Sequence, residues 1–460
     1  MRYGSALLAL GLLLSSQSVG AIAELNVPPR SRRSVVPLGL IPEPLSFYES
    51  MQRALRRSVG ESFAANELRD AWAAMELYHL AEIEHYLRRE PVSLQKEFEQ
   101  VQEELQEATG RSGSLTVAIY PFLFADRLEL LLIPPVGEPI RYRVPEADEG
   151  TVRRVVEDLR TKIQRDESQE FMEPAQQLYD WLIRPLEGQL QAWASPQFPQ
   201  PTTLVFVMDR ELRVLPIAAL HDGKQFLIER YAIAQAPSFR LKTPPAKEKR
   251  TTRVLGMGLR ERPSLTEEVR SLAVLDQVTT TLAGQHFTLG NLVAYKEWHS
   301  VLHLATMADL SAPEPRNAFV QLGAGRLSLH QISRWRSPRL TDKVVVVTSA
   351  KTSVQHHMVP YSLLVALQAS SLLTPLWIDA DVVNVPLTLG FYQHSQNQPT
   401  IALALRAAQR DLLLGRVRLE GSQVVGLPRT PIVPLDHSVP QTDLSHPFYW
   451  ATFTLMGNWQ

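Results

Sequence analysis

The chain has 460 residues, 45% hydrophobic and 21% charged, which is ordinary globular composition with room for one large or two moderate cores. Lys and Arg number 47 against 48 Asp and Glu, so no net field draws in nucleic acid or an anionic membrane surface. Cysteine is absent, which excludes a thiol nucleophile, disulfides and cysteine-ligated zinc.

In chain order, the first predicted element is a targeting segment. Arg2 supplies a positive charge, residues 6–14 an apolar stretch, and Ala21-Ile22-Ala23 a small-residue cleavage pattern. That stretch is far shorter than the roughly 20 apolar residues a bilayer span needs. Residues 1–23 are expected to be a cleaved signal peptide. The mature chain then starts at Glu24, is exported to the periplasm or beyond the cell, and keeps no integral membrane segment. Residues 24–44 hold many prolines with Arg30, Arg32 and Arg33, the pattern of a solvated tether.

Residues 45–110 read as a small helical region, with Leu68, Ala71, Trp72, Met75 and Tyr78 near a 3.6-residue period. A further helix from Ser93 is expected to close at Gly110. The region holds about one repeat-sized unit where a solenoid needs roughly three, so it reads as a helical collar.

Residues 111–460 read as one α/β domain. Strands are predicted at 115–120, 127–133 and 140–144, then helices at 149–164 and 173–193. Beyond them, core strands at 204–208, 254–257, 301–306, 344–348 and 373–378 alternate with helices at 266–275, 360–370, 382–394 and 401–414. Such alternation predicts a mostly parallel sheet with helices on both faces. Residues 241–253, rich in Lys, Arg and Pro, read as an exposed loop.

No metal or cofactor is implied. His299 and His303 would sit about 13 Å apart on a strand rising ~3.3 Å per residue, too far to share an ion. Mid-strand, His303 reads as a core histidine with its nitrogens satisfied. Adjacent His356 and His357 point to different sides of an extended segment and come after the strand that carries Lys351. Gly256-Met257-Gly258 lacks the third glycine of a phosphate-binding turn.

Two strands concentrate the functional signal. Val344-Val345-Val346-Val347-Thr348-Ser349-Ala350-Lys351-Thr352-Ser353 is a buried strand pattern ending in small polar residues, where open α/β sheets place their chemistry. Val301-Leu302-His303-Leu304-Ala305-Thr306-Met307-Ala308 is a second. The pair resembles the two catalytic motifs of the CHAT domain family, caspase-like bacterial cysteine endopeptidases. There the first strand reads HLATHG, with the second His as base, and the second reads SACET, with Cys as nucleophile. The likeness extends from near Leu115 to the C-terminal Gly457-Asn458-Trp459, through Leu178-Tyr179-Asp180-Trp181-Leu182, Leu212-Arg213-Val214-Leu215-Pro216 and His446-Pro447-Phe448-Tyr449-Trp450. It implies a caspase-like sheet.

Against that pattern, Met307 stands at the base, Lys351 at the nucleophile and Ala308 at the glycine after the base. A thioether transfers no proton near neutral pH, and an ammonium is neither nucleophile nor base unless burial strips its proton. Ala308 keeps its backbone N–H but loses the conformational freedom of glycine. The expectation is a catalytically inactive peptidase homologue that binds a polypeptide or protein partner, or regulates an active relative. The competing reading is a hydrolase in which Lys351 serves as base for Ser349 or Ser353, since the three fall at i, i+2 and i+4 on one strand face. A structural part in a larger exported assembly is the third.

Overall fold

A computed structural model describes residues 47–460 other than 90, 92, 94, 166–168, 195, 199, 242–252, 260–262, 274, 276–277, 324, 335–339, 341, 378–383, 422 and 428–442. The expected signal segment, the tether and nearly all of the loop after Leu241 lie outside the described residues. The chain divides into two compact units, Met1–Ala81 and Glu82–Gln460.

Helix α1 (Phe47–Ala65) buries Met51, Leu55, Val59 and Phe63, one stripe at helical spacing. It stops where Asn66 takes a left-handed conformation at φ 60°, which asparagine tolerates better than most residues. α2 (Leu68–Leu87) comes next and buries Ala71, Trp72, Met75 and Tyr78, four of the five residues in the predicted stripe.

The larger unit opens with α3 (Phe98–Ser112), whose first turn is tied by Glu97 N donating to Gln100 Oε1. The helix does not close at Gly110 as expected. It runs through that glycine and closes at Gly113, φ 63°, whose N–H reaches Thr109 O. Contacts from the next strand set this end. Thr116 N donates to Thr109 Oγ1 and Ser114 N to Ser112 Oγ, which turns the chain into extended structure there. The predicted 173–193 helix is also interrupted. Pro185 cannot supply the N–H an α-helix needs, so a 3-10 turn at Arg184–Leu186 separates Met172–Leu182 from Glu187–Trp193.

Strands of the main sheet are β1 (Ser114–Phe124), β2 (Arg127–Ile133), β3 (Ile140–Val144), β4 (Gln200–Phe206), β5 (Ala232–Gln235), β6 (Val254–Gly258), β7 (Val278–Ala283), β8 (Val301–Leu310), β9 (Phe319–Leu322), β10 (Gly325–Ser328), β11 (Val344–Thr352) and β12 (Ser371–Pro375). β13 (Arg418–Glu420) and β14 (Gln423–Val425) form a separate hairpin, and β15 (Phe453–Gly457) returns to the main sheet. Its order is β10-β9-β8-β11-β12-β15-β5-β4-β1-β2-β3, with β6 and β7 branching from β8. Pairing is parallel from β7 through β6, β8 and β11 to β12, and from β15 through β5 and β4 to β1. Antiparallel pairing is confined to the two margins and to β12 with β15.

The long helices of the unit after α3 are α4 (Glu149–Ile163), α5 (Met172–Leu182), α6 (Pro263–Leu272), α7 (Val359–Leu367), α8 (Asn384–Asn397) and α9 (Ile401–Leu413). Register partners share a face of a sheet. Val345, Leu372, Met456 and Gln235 are successive partners, and Tyr361 of α7 donates to Gln235 at 2.7 Å on that face. Val346 partners His303 on the opposite face, where α6 and α8 bring Glu268 and Tyr392. Helices thus cover both faces, as the alternation predicted.

Candidate functional site

Strands β8 and β11 run side by side and parallel, and both continue past their predicted ends at 306 and 348. The first half of β8 pairs with β6 and its second half with β9, while β11 lines its other side throughout. Pairing shifts by one residue between Val347 and Ser349, so β8 is bulged opposite Thr348. Beyond the bulge Met307 partners Ser349, Ala308 partners Ala350 and Asp309 partners Lys351. Met307, Asp309, Ser349 and Lys351 therefore share one face, and Met307 and Lys351 are diagonal neighbours rather than direct partners. Ala308 and Ala350 are buried on the other face.

Exposure differs sharply along that front face. Lys351 is exposed, Met307 and Asp309 are half-buried, and Ser349 is 3% exposed. The Ser349 hydroxyl has no hydrogen-bond partner among the described residues. Asp309 is engaged locally, accepting from Ser311 N at 3.0 Å and Ser311 Oγ at 2.7 Å. Ser353, half-buried beyond the strand end, accepts from Gln355 N at 3.2 Å.

The back face of the same two strands holds a chain of polar groups that sequence reasoning only partly found. His303, mid-strand and buried as expected, bonds Tyr392 Oη through Nδ1 at 2.9 Å and places Nε2 3.3 Å from Glu268 Oε1. Thr348 Oγ1 donates to the other carboxylate oxygen at 2.9 Å, and Asn384 Nδ2 donates to Thr348 O at 2.7 Å. Burial, reinforced by the Glu268 charge, pushes the Tyr392 phenol well above its ordinary value. One signal for Glu268 was present: with Leu265, Val269 and Leu272 it falls on the apolar stripe of its helix, where a carboxylate needs partners. No local pattern names those partners.

Two buried arginines close the ends of the strands. Arg160 of α4 donates to Val214 O at 2.6 Å, Thr352 Oγ1 at 3.0 Å and Leu376 O at 2.9 Å, and lies 6.0 Å from the Trp377 ring centroid. Burial pushes its pKa down to about 10. Arg213, 1% exposed, donates to Met208 O, bonds His357 Nδ1 at 3.1 Å and pairs with Glu82. Burial and the neighbouring Arg213 charge push His357 down to about 3, so its imidazole is neutral and Nδ1 is the acceptor. His356 is half-buried beside it.

Gly256 and Gly258 lie within β6, where they serve packing. A Cβ on Gly258 would come within 2.9 Å of Leu265 O, so the glycine lets α6 sit close on the sheet.

A CHAT domain model matches residues 172–458, more than half of the chain and including both strands of the site. The chain belongs to the CHAT domain family. No curated protein matches it in sequence. Among solved structures, a separase–securin complex of Saccharomyces cerevisiae aligns with TM-score 0.51 at 8% identity, covering 89% of this chain and 37% of that one. A second crystal structure of the same complex gives 0.46 at 9% identity with the same coverage. A protease structure gives 0.34 at 11% identity over 66% of this chain and 75% of that one. The CHAT chain thus spans well under half of the separase chain, and at 8% identity the likeness is one of fold: a mostly parallel sheet with helices, preceded by a helical region.

Proposed function

We propose that this CHAT-domain protein is a catalytically inactive peptidase homologue that binds a polypeptide or protein partner at the crevice beside β8 and β11. One observation supports this above others. The two positions where the family's dyad is expected share a face of adjacent strands, and they hold a thioether and an exposed ammonium in a chain without cysteine. The scaffold that presents a dyad is retained while thiol–imidazole chemistry has no atoms to run on. That the separase of similar fold is complexed with securin fits a scaffold suited to a protein partner. The N-terminal pattern of residues 1–23 supports export of the mature chain from Glu24.

The rival reading, a Ser–Lys hydrolase, draws on the unpartnered Ser349 hydroxyl beside Lys351. It needs a desolvated lysine, and Lys351 is the exposed residue of its strand. Pulldown with the mature protein, followed by identification of bound chains, tests the proposal. Intact stoichiometric polypeptides are expected. Labelling of Ser349 by a fluorophosphonate, abolished by Lys351→Ala, would instead establish the hydrolase. Mass spectrometry of the exported protein is expected to find Glu24 at its N-terminus, and an intact Met1 would overturn the export proposal.

A further inference from the structure

A segment of the same chain bonds, directly or through Arg213, to the stretches that follow β8 and β11. Residues 82–87, the last turns of α2, belong to the larger unit together with the sheet. Three side chains from this stretch reach three different parts of the site's rim. Glu82 pairs with Arg213, whose guanidinium also bonds His357 in the segment after β11. One turn later, the Tyr86 hydroxyl donates to Ala312 O at 3.1 Å, in the segment after β8. Just past the helix, Arg89 donates to Ser333 O, in the short helix Leu329–Ser333 that comes after β10.

These contacts have a direction. The sheet runs β10-β9-β8-β11, so the helix end passes from the β11 side, over β8, to the β10 side. It crosses the C-terminal ends of the two strands that bear Met307 and Lys351. The face it covers is identifiable as well. The Arg213 guanidinium that Glu82 holds lies 5.7 Å from the ring centroid of Tyr361, whose hydroxyl bonds Gln235 on the Val345 face, the face that also carries Ser349 and Lys351. Ser349, at 3% exposure, is buried on that same face.

We propose that residues 82–89 are an internal cover over the front face, latched chiefly by Glu82 on Arg213, and that a partner reaches Met307 and Ser349 only by displacing it. The proposal rests on the reading of this crevice as the binding site, and adds its regulation. Arg213 gives the latch its strength, because opening leaves a guanidinium that is 1% exposed without the Glu82 carboxylate. The Tyr86 and Arg89 contacts go to backbone carbonyls, which water can satisfy once the helix end lifts.

The absence of cysteine makes the test clean, since one introduced thiol reports alone. In the full chain, Ser349→Cys is to be labelled with a small maleimide, and Lys351→Cys serves as the exposed control. Ser349→Cys is expected to react at least about tenfold slower than the control, in proportion to how seldom the cover opens. Adding Glu82→Gln with Tyr86→Phe is expected to raise its rate about tenfold or more while the control changes less than about twofold. An unchanged Ser349→Cys rate in a variant that melts as a folded protein would overturn the cover.

Should the double variant fail to fold, hydrogen exchange on the native chain decides. Amides of residues 83–87 are expected to exchange faster than those of β8 and β11, and exchange only with global unfolding would overturn it. None of these readouts requires a partner. A crevice that opens as described yet captures no polypeptide would sink the recognition proposal and leave the cover standing.

Discussion

The two faces of the β8–β11 pair share one backbone and differ in everything chemical. The back face holds His303, Glu268, Tyr392 and Thr348, all fully buried, with Tyr392 bonded to His303, Thr348 bonded to Glu268, and His303 Nε2 and Glu268 Oε1 facing each other at 3.3 Å without a hydrogen bond. The front face holds Met307, Asp309, Ser349 and Lys351, graded from buried to exposed, with each polar group either locally satisfied or unpartnered. The three titratable groups of the back face are thus sealed from solvent, while Asp309 and Lys351 of the front face are not. A buried carboxylate is tolerated only while its partners stay in place, so the back face admits little change. The front face has no such constraint, so substitution there costs the fold little.

The largest expected effect that could break this contrast is at Glu268. Replacing it with Leu removes the acceptor of Thr348 and the partner of His303, and is expected to destabilise the protein by about 3–5 kcal/mol. Urea unfolding measures it, and a loss under about 1 kcal/mol would erase the distinction between the faces. Arg160→Met comes next, because it takes the guanidinium donor away from Val214 O and leaves Leu376 O with Thr352 Oγ1 alone in a buried setting. A cost of about 2–3 kcal/mol is expected by the same assay. Tyr392→Phe deletes one hydroxyl from the chain and is expected to cost about 1–2 kcal/mol.

On the front face, Met307→His with Lys351→Cys is expected to move stability by less than about 1 kcal/mol. It sharpens the contrast through reactivity. Residues diagonal across a pair of strands lie roughly 7–8 Å apart, within reach of an imidazole and a thiol side chain. The introduced thiol is expected to alkylate faster at neutral pH than in Lys351→Cys alone, and equal rates would show that the diagonal geometry keeps the two groups apart.

The smallest effect concerns pH. His357 is held below the pKa of an unfolded histidine, so between about pH 6.5 and 3 the unfolded chain binds the extra proton and stability falls as the pH drops. His357→Gln is expected to flatten that part of the stability profile. A slope unchanged from wild type would assign it to other groups.

Much of this arrangement was legible in the residues. The valine run of β11 and the shorter apolar run of β8 marked two buried strands, and their endings placed Met307 and Lys351 at the sheet's C-terminal side. Periodicity identifies such elements because it depends only on which neighbours in sequence share a face. Pro185 already carried the break in the 173–193 helix, since a missing N–H acts within its own turn. The chain alone also determined that no thiol chemistry is possible, as a count of residue types requires no coordinates.

What the tertiary structure decided depends on residues far apart in sequence. The bulge opposite Thr348 sets Met307 against Ser349 and Lys351 against Asp309, and a register between strands some forty residues apart leaves no local trace. Insertion of β15 between β12 and β5 is likewise a pairing choice made after collapse. Glu268 meets His303 and Thr348 only because α6 packs on the back face, and Gly113 rather than Gly110 ends α3 because β1 ties back to it. Local patterns fix an element's type through short-range sterics and solvent contrast. Partnerships between elements depend on which buried polar groups can satisfy one another, and that becomes defined only when the whole sheet is assembled.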